Sequence, residues 1–76
     1  MDSQTTADSL GGRIRHLRES RGESRMDFAV AVGASEIRVQ RWELGVQAPG
    51  MDALQRISEA TGASLDWLVR GEGAAE

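Results

Sequence analysis

The sequence predicts a compact all-α domain of five short helices, and three observations carry that expectation. Ser9, Ser24, Ser35 and Ser64 each stand just ahead of a helix-spaced apolar segment, as N-capping residues do. Gly22, Gly33, Gly45, Gly62 and Gly71 each follow such a segment, where a helix stops. No stretch sustains the apolar–polar alternation of a strand, and no Asn-Gly or Asp-Gly hairpin turn occurs.

The first helix is expected from Ser9 to Arg21, with Leu10, Ile14 and Leu17 on one stripe at the i, i+4, i+7 spacing. Gly11 and Gly12 weaken its first turn by roughly 1 kcal/mol each relative to alanine. The second opens at Ser24 with Asp27 three residues on, a capping-box pattern with Asp in place of Glu. It is expected to bury Phe28, Ala29 and Val32 and to stop at Gly33. The third, capped by Ser35, spans 36–43 and ends before Gly45, after which Pro49 breaks the chain. The fourth, 51–61, carries Met51, Leu54, Ile57 and Ala60 on its apolar side. The last follows Ser64, contains Leu65, Leu68 and Val69, and meets Gly71. Residues 1–8 and 72–76 read as flexible tails around a domain of 9–71.

Composition narrows the function. Seventy-six residues allow one small domain, and the absence of cysteine excludes a disulfide framework or a thiolate metal site. The longest apolar run, 28–32, is far short of the roughly 20 residues that span a bilayer, so no membrane association is expected. Without a basic start and apolar run at the N-terminus, a cytoplasmic address is the expectation. His16 is the only histidine and has no Cys or His partner at ligand spacing. It reads as a surface residue; no metal, cofactor, catalytic triad or enzymatic role is expected.

Charge is segregated along the chain. All 9 basic residues are Arg, against 12 acidic ones, for a net charge of −3 and a pI near 5.1. Yet residues 11–25 hold Arg13, Arg15, Arg18, Arg21 and Arg25 against only Glu19 and Glu23, while the acidic excess lies in 1–10 and 51–76. Such asymmetry suggests one face for a polyanion, although five Arg in fifteen residues also describes a solvated helix surface.

The second and third helices are separated by only Gly33 and Ala34, and two short helices joined so tightly pack roughly at right angles, as a helix-turn-helix. Ala29 must be small where the third helix crosses, Gly33 supplies the left-handed turn, and Val39 returns an apolar side chain to the core.

An ordered set of residues now accumulates: Gly12, Arg13, Ile14, Arg15, Leu17, Arg18, Arg21, Gly22 and Ser24; then Ala29, Gly33, Ser35, Val39, Arg41, Trp42, Glu43, Gly45 and Pro49; then Leu54, Ile57, Ala60, Gly62 and 64–68. This set resembles the XRE family of phage lambda-type repressors and Cro proteins over residues 9–71. The resemblance implies a five-helix domain that binds operator DNA, usually as a dimer, with the third helix in the major groove. It also implies nucleoid association within the cytoplasm, and an internal ion pair between Arg18 and Glu43 that fixes the recognition helix.

Helical geometry supports the same assignment. Val39, Trp42 and Glu43 fall on the inner side of the third helix, and Ile37 and Arg41 lie near the centre of the outer side, flanked by Arg38 and Gln40. Arg bonds a guanine edge twice, Gln pairs with adenine, and Ile rests against a thymine methyl. Arg41, Arg38, Ile37, Gln40 and Glu36 are thus the candidate base contacts. Glu36, in the first turn, either accepts from a cytosine amino group or simply suits the helix dipole. Ser24, Arg25, Arg13, Arg15 and Arg21 are the candidate phosphate contacts; the family commonly has Gln where Arg25 stands, and that position usually touches backbone. The loop 46–49 lacks the cations that family members carry there. Trp67 lies opposite Leu65, Leu68 and Val69 on the helical wheel, as an exposed dimer contact would, but the resemblance implies that it packs inside.

The expected partners are double-stranded operator DNA and a second copy of the chain, joined through the fourth helix, its flanking loop and the last helix. The rival reading is a protein-interaction module, or an antitoxin-like protein that binds a partner, on the same scaffold; the low net basicity, Glu36 and the missing loop cations motivate it.

Overall fold

The computed structural model describes residues 9–72; the expected N-terminal tail and residues 73–76 of the expected C-terminal one lie outside the described residues. Five helices form: α1 (Leu10–Ser20), α2 (Arg25–Val32), α3 (Glu36–Leu44), α4 (Met51–Thr61) and α5 (Leu65–Arg70), with no strand among the described residues. None is long and apolar enough to cross a membrane.

The serines start these helices for a common reason. Each Oγ accepts one of the first-turn N–H groups that have no intrahelical acceptor: Ser9 from Gly12, Ser24 from Asp27, Ser35 from Arg38 and Ser64 from Trp67, at 3.0–3.2 Å. The Asp27 carboxylate makes no return bond, so only half of the expected capping box exists. The α2–α3 turn is made by Gly33, at φ 69° and ψ 36°. Its N–H donates to Val30 O and that of Ala34 to Ala29 O, the paired bonds that close a helix through a left-handed residue.

Ile14 and Leu17 of α1, Phe28, Ala29 and Val32 of α2, Val39 and Trp42 of α3, Ala53 and Ile57 of α4, Ala63, and Leu68 of α5 make one core, each at most 2% exposed. The inner stripe of α4 is Ala53, Leu54 and Ile57, while Met51 is exposed; the small Ala53 faces the core where the periodicity favoured Met51. On α5 only Leu68 is fully buried. Leu65 and Val69 are exposed, and Trp67 packs half-buried against the core with its ring 6.0 Å from that of His16, itself exposed.

Helix α1 packs unusually close to α3, and a glycine permits it. A Cβ on Gly11 would collide with Trp42 O and lie 2.9 Å from Glu43 O, backbone atoms that cannot swing aside. The glycine that weakens α1 locally is thus what seats it on the last turn of α3. Two residues on, Arg13 runs inward instead of outward. Its Nε donates to Leu68 O at 2.8 Å and its Nη2 to Val69 O at 3.3 Å, which fastens α1 to the C-terminal end of α5.

Gly11→Ala should lower stability by roughly 1–3 kcal/mol through overpacking, the reverse of alanine's gain in helix propensity. In a domain of this size each 1 kcal/mol moves the melting temperature by about 4–8 °C. A variant that melts at or above wild type would refute the close approach. Arg13→Met keeps the aliphatic stem and strands two carbonyls; a loss of about 1–3 kcal/mol is expected in urea unfolding.

Candidate nucleic-acid interface

Helix α3 is held from its inner side, which leaves its outer side free. Val39 and Trp42 lie in the core, and the Glu43 side chain is only 2% exposed. Around the other side, Glu36, Ile37, Arg38, Gln40 and Arg41 are all exposed, so the structure brings the five candidate base contacts onto one continuous face. Ile37 is 49% exposed. Two of the five carry additional features. Glu36 sits in the first turn beside the free N–H groups, where the helix dipole favours a negative charge. Arg38 lies over the Trp42 ring, its guanidinium carbon 5.5 Å from the ring centroid, a cation–π contact one turn along α3.

Trp42 itself is buried with its indole N–H unpartnered. An unmet donor costs about 1–3 kcal/mol, and burying the ring returns roughly 4–6 kcal/mol at about 25 cal/mol per Å². Packing therefore outweighs the missing hydrogen bond.

Glu43 is gripped by two arginines. Arg18 of α1 donates from Nε to Oε2 at 2.6 Å and from Nη2 to Oε1 at 3.1 Å, a two-point bond. Arg25, the first residue of α2, donates from Nε to Oε1 at 3.2 Å. Arg18 also donates from Nη1 to Glu23 O. The hydrogen bond with Glu43 raises the Arg18 pKa above its ordinary value, which outweighs the lowering by burial. The internal Arg18–Glu43 pair implied by the family pattern is therefore present, and the second cation on it is a feature the sequence did not reveal.

The five candidate phosphate contacts separate. Arg13 is 6% exposed with its guanidinium on the α5 carbonyls, so the expectation of a phosphate contact there is corrected: the side chain serves the fold. Arg21 pairs with Glu23 through Nε and Nη2 and donates from Nη1 to Ala60 O, which ties it to the end of α4. Arg15 is exposed on α1 and paired with Glu19 one turn on, a contact that lowers the Glu19 pKa. Only Ser24 and Arg25 stand together, at the start of α2. Arg56, absent from the expected site, donates to Val32 O and braces α4 against the end of α2.

A family model described as a helix-turn-helix domain matches residues 9–69. The chain is 39% identical over 66 residues to the repressor protein CI of Enterobacteria phage phi80, covering 87% of this chain but only 28% of that protein. Among solved structures it is similar to the P22 c2 repressor in complex with synthetic operator 9T, at TM-score 0.80 and 28% identity, over 84% of this chain and 97% of that one. The solution structure of the DNA-binding domain of the P22 c2 repressor matches at TM-score 0.78 and 28% identity, over 86% of each chain.

Arg18→Ala leaves Glu43 buried with Arg25 alone and should cost roughly 3 kcal/mol of unfolding free energy. Arg25→Ala, which removes a side chain 39% exposed, should cost less than about 1 kcal/mol. Equal losses in urea unfolding would contradict the assignment of Arg18 as the principal partner.

Proposed function

The chain belongs to the helix-turn-helix domain family, in its lambda-type XRE branch, and we propose that it is a sequence-specific DNA-binding transcriptional repressor. The observation that carries this reading is the similarity, over nearly the whole described fold, to a repressor bound to operator DNA. The chain spans 28% of the length of the curated relative it matches, so the reading concerns this domain.

In the proposed mode α3 enters the major groove with its exposed face toward the bases. Arg41 donates to a guanine edge, Arg38 and Gln40 read neighbouring pairs, and Ile37 lies against a thymine methyl. Glu36, at the helix start, is the member with a second role, as a partner of the helix dipole. Ser24 and Arg25 meet a phosphate, where the first N–H groups of α2 are also available. A homodimer places two such helices one helical turn apart, about 10–10.5 base pairs, on a near-palindromic operator. Its contact surface is α4 with its flanking loop and α5. Support for that surface is the set of exposed apolar side chains there: Val46, Met51, Leu65 and Val69.

Selection of bound duplexes from a random pool, at stated salt, should return two half-sites with that spacing. Arg41→Ala should weaken binding to the selected site by about 1–3 kcal/mol and relax preference at one position of each half-site. An unchanged selected sequence would remove Arg41 from the base contacts. Binding with a salt slope near zero on every duplex would favour the partner-binding alternative over DNA recognition.

A further inference from the structure

Glu43 accepts one more cation than anchoring α3 requires. Arg18 already neutralises its carboxylate through two N–H bonds and uses its remaining terminal nitrogen on Glu23 O. Arg25 is therefore a second positive charge on a single buried carboxylate, and that charge is uncompensated by any other described acidic residue in contact with it. The way it is held matters more than the charge. A guanidinium is a planar fork of five N–H groups, and Arg25 presents only Nε to Glu43. Its two terminal nitrogens bond no described residue, and its side chain is 39% exposed, while Glu43 beneath it is 2% exposed.

We infer that Glu43 is a positioning residue for phosphate binding: it holds the Arg25 guanidinium by its Nε edge and so leaves the terminal nitrogens fixed for a DNA phosphate. This rests on the DNA-binding reading above. Ordering a free arginine costs side-chain entropy at the moment of binding, and an arginine already tethered has met that cost on folding. The carboxylate's own repulsion of the phosphate is cancelled by Arg18, so the tether adds order without subtracting net attraction. The same carboxylate thereby couples two tasks, fixing the recognition helix through α1 and fixing a backbone contact through α2. Lysine at position 25 keeps the charge but cannot bond Glu43 and a phosphate through separate edges of one rigid plane.

The test is fluorescence anisotropy across a salt series on a duplex recovered from random-pool selection and on a scrambled duplex. Arg25→Ala should reduce the slope of log affinity against log salt by about 0.9 on both duplexes. Arg25→Lys should still bind at least roughly threefold more weakly than wild type at equal salt, because the fork is lost. Glu43→Gln should weaken binding by a factor at least about threefold larger when Arg25 is present than in the Arg25→Ala background, where only the bracing of α3 through Arg18 is left to lose, with the folded fraction measured by melting. Wild-type affinity for Arg25→Lys overturns the inference, as does an equal loss from Glu43→Gln with and without Arg25. If Glu43→Gln does not fold, Arg25→Lys alone decides. Absence of salt-dependent binding by the wild-type protein to either duplex would sink the DNA-binding reading, and this inference with it; a binding wild type with unaffected variants sinks the inference only.

Discussion

The carboxylate of Glu43 ties three helices together. It projects from α3, takes two bonds from Arg18 of α1 and one from Arg25 of α2, and is almost wholly removed from water. Burying an ion costs several kcal/mol, and only good geometry with further hydrogen bonds offsets that. Here the offset is a two-point guanidinium bond with a third N–H beside it. The backbone of the same turn is gripped as well, since Gly11 lets α1 pack directly against the carbonyls of Trp42 and Glu43. Helix α3 is therefore fixed by its side chain, its backbone and its core residues, all from one direction. Its opposite face is left to other work.

Arginine performs this kind of fastening throughout the domain. Arg13 reaches the carbonyls of Leu68 and Val69, Arg21 that of Ala60, and Arg56 that of Val32, which lie at the C-terminal ends of α5, α4 and α2. The last carbonyls of a helix lack intrahelical donors and carry the negative end of its dipole, so a cation with several N–H groups suits them. A rigid fork can also serve two acceptors at once, as Arg13 and Arg21 do. An ammonium is a point charge without that fork. This is a physical rationale for a chain whose basic residues are all Arg.

Where the sequence was informative, the signal was local. Serine caps act within three residues, glycine stops within the same turn, and the inner and outer sides of α3 follow from 3.6-residue periodicity. Those signals fixed the helix bounds to within about a residue and separated Val39, Trp42 and Glu43 from Ile37, Gln40 and Arg41. The Arg18–Glu43 pair was legible only because the family pattern carries it. Arg13 was not legible: its acceptors lie 55 and 56 positions away, and nothing in its neighbourhood separates an inward arginine from a solvated one. Gly11 was legible only in part, for a related reason. Its local cost is visible in the sequence, whereas its benefit belongs to a contact with Trp42 and Glu43, far along the chain. Met51 failed on a finer point, since periodicity gives the angle of a stripe but not which neighbour the packing selects.

These placements change what the net charge means for the proposed function. Seven of the nine arginines fall between positions 11 and 41, which by count describes a strongly basic face. By geometry, Arg13 and Arg18 belong to the interior, while Arg15 and Arg21 are paired with Glu19 and Glu23. Arg38 and Arg41 on α3 and the outer edge of Arg25 are what a polyanion meets there. A protein so equipped gains little from diffuse phosphate neutralisation, which scales with the number of phosphates engaged. In the proposed mode its affinity comes instead from directional bonds made by a few groups, of which Arg25 is tethered to Glu43 and Arg38 lies over the Trp42 ring. The buried carboxylate that braces α3 then bears on DNA binding by limiting the freedom of α3 and of Arg25 beforehand, which lowers the entropy lost when a duplex is engaged.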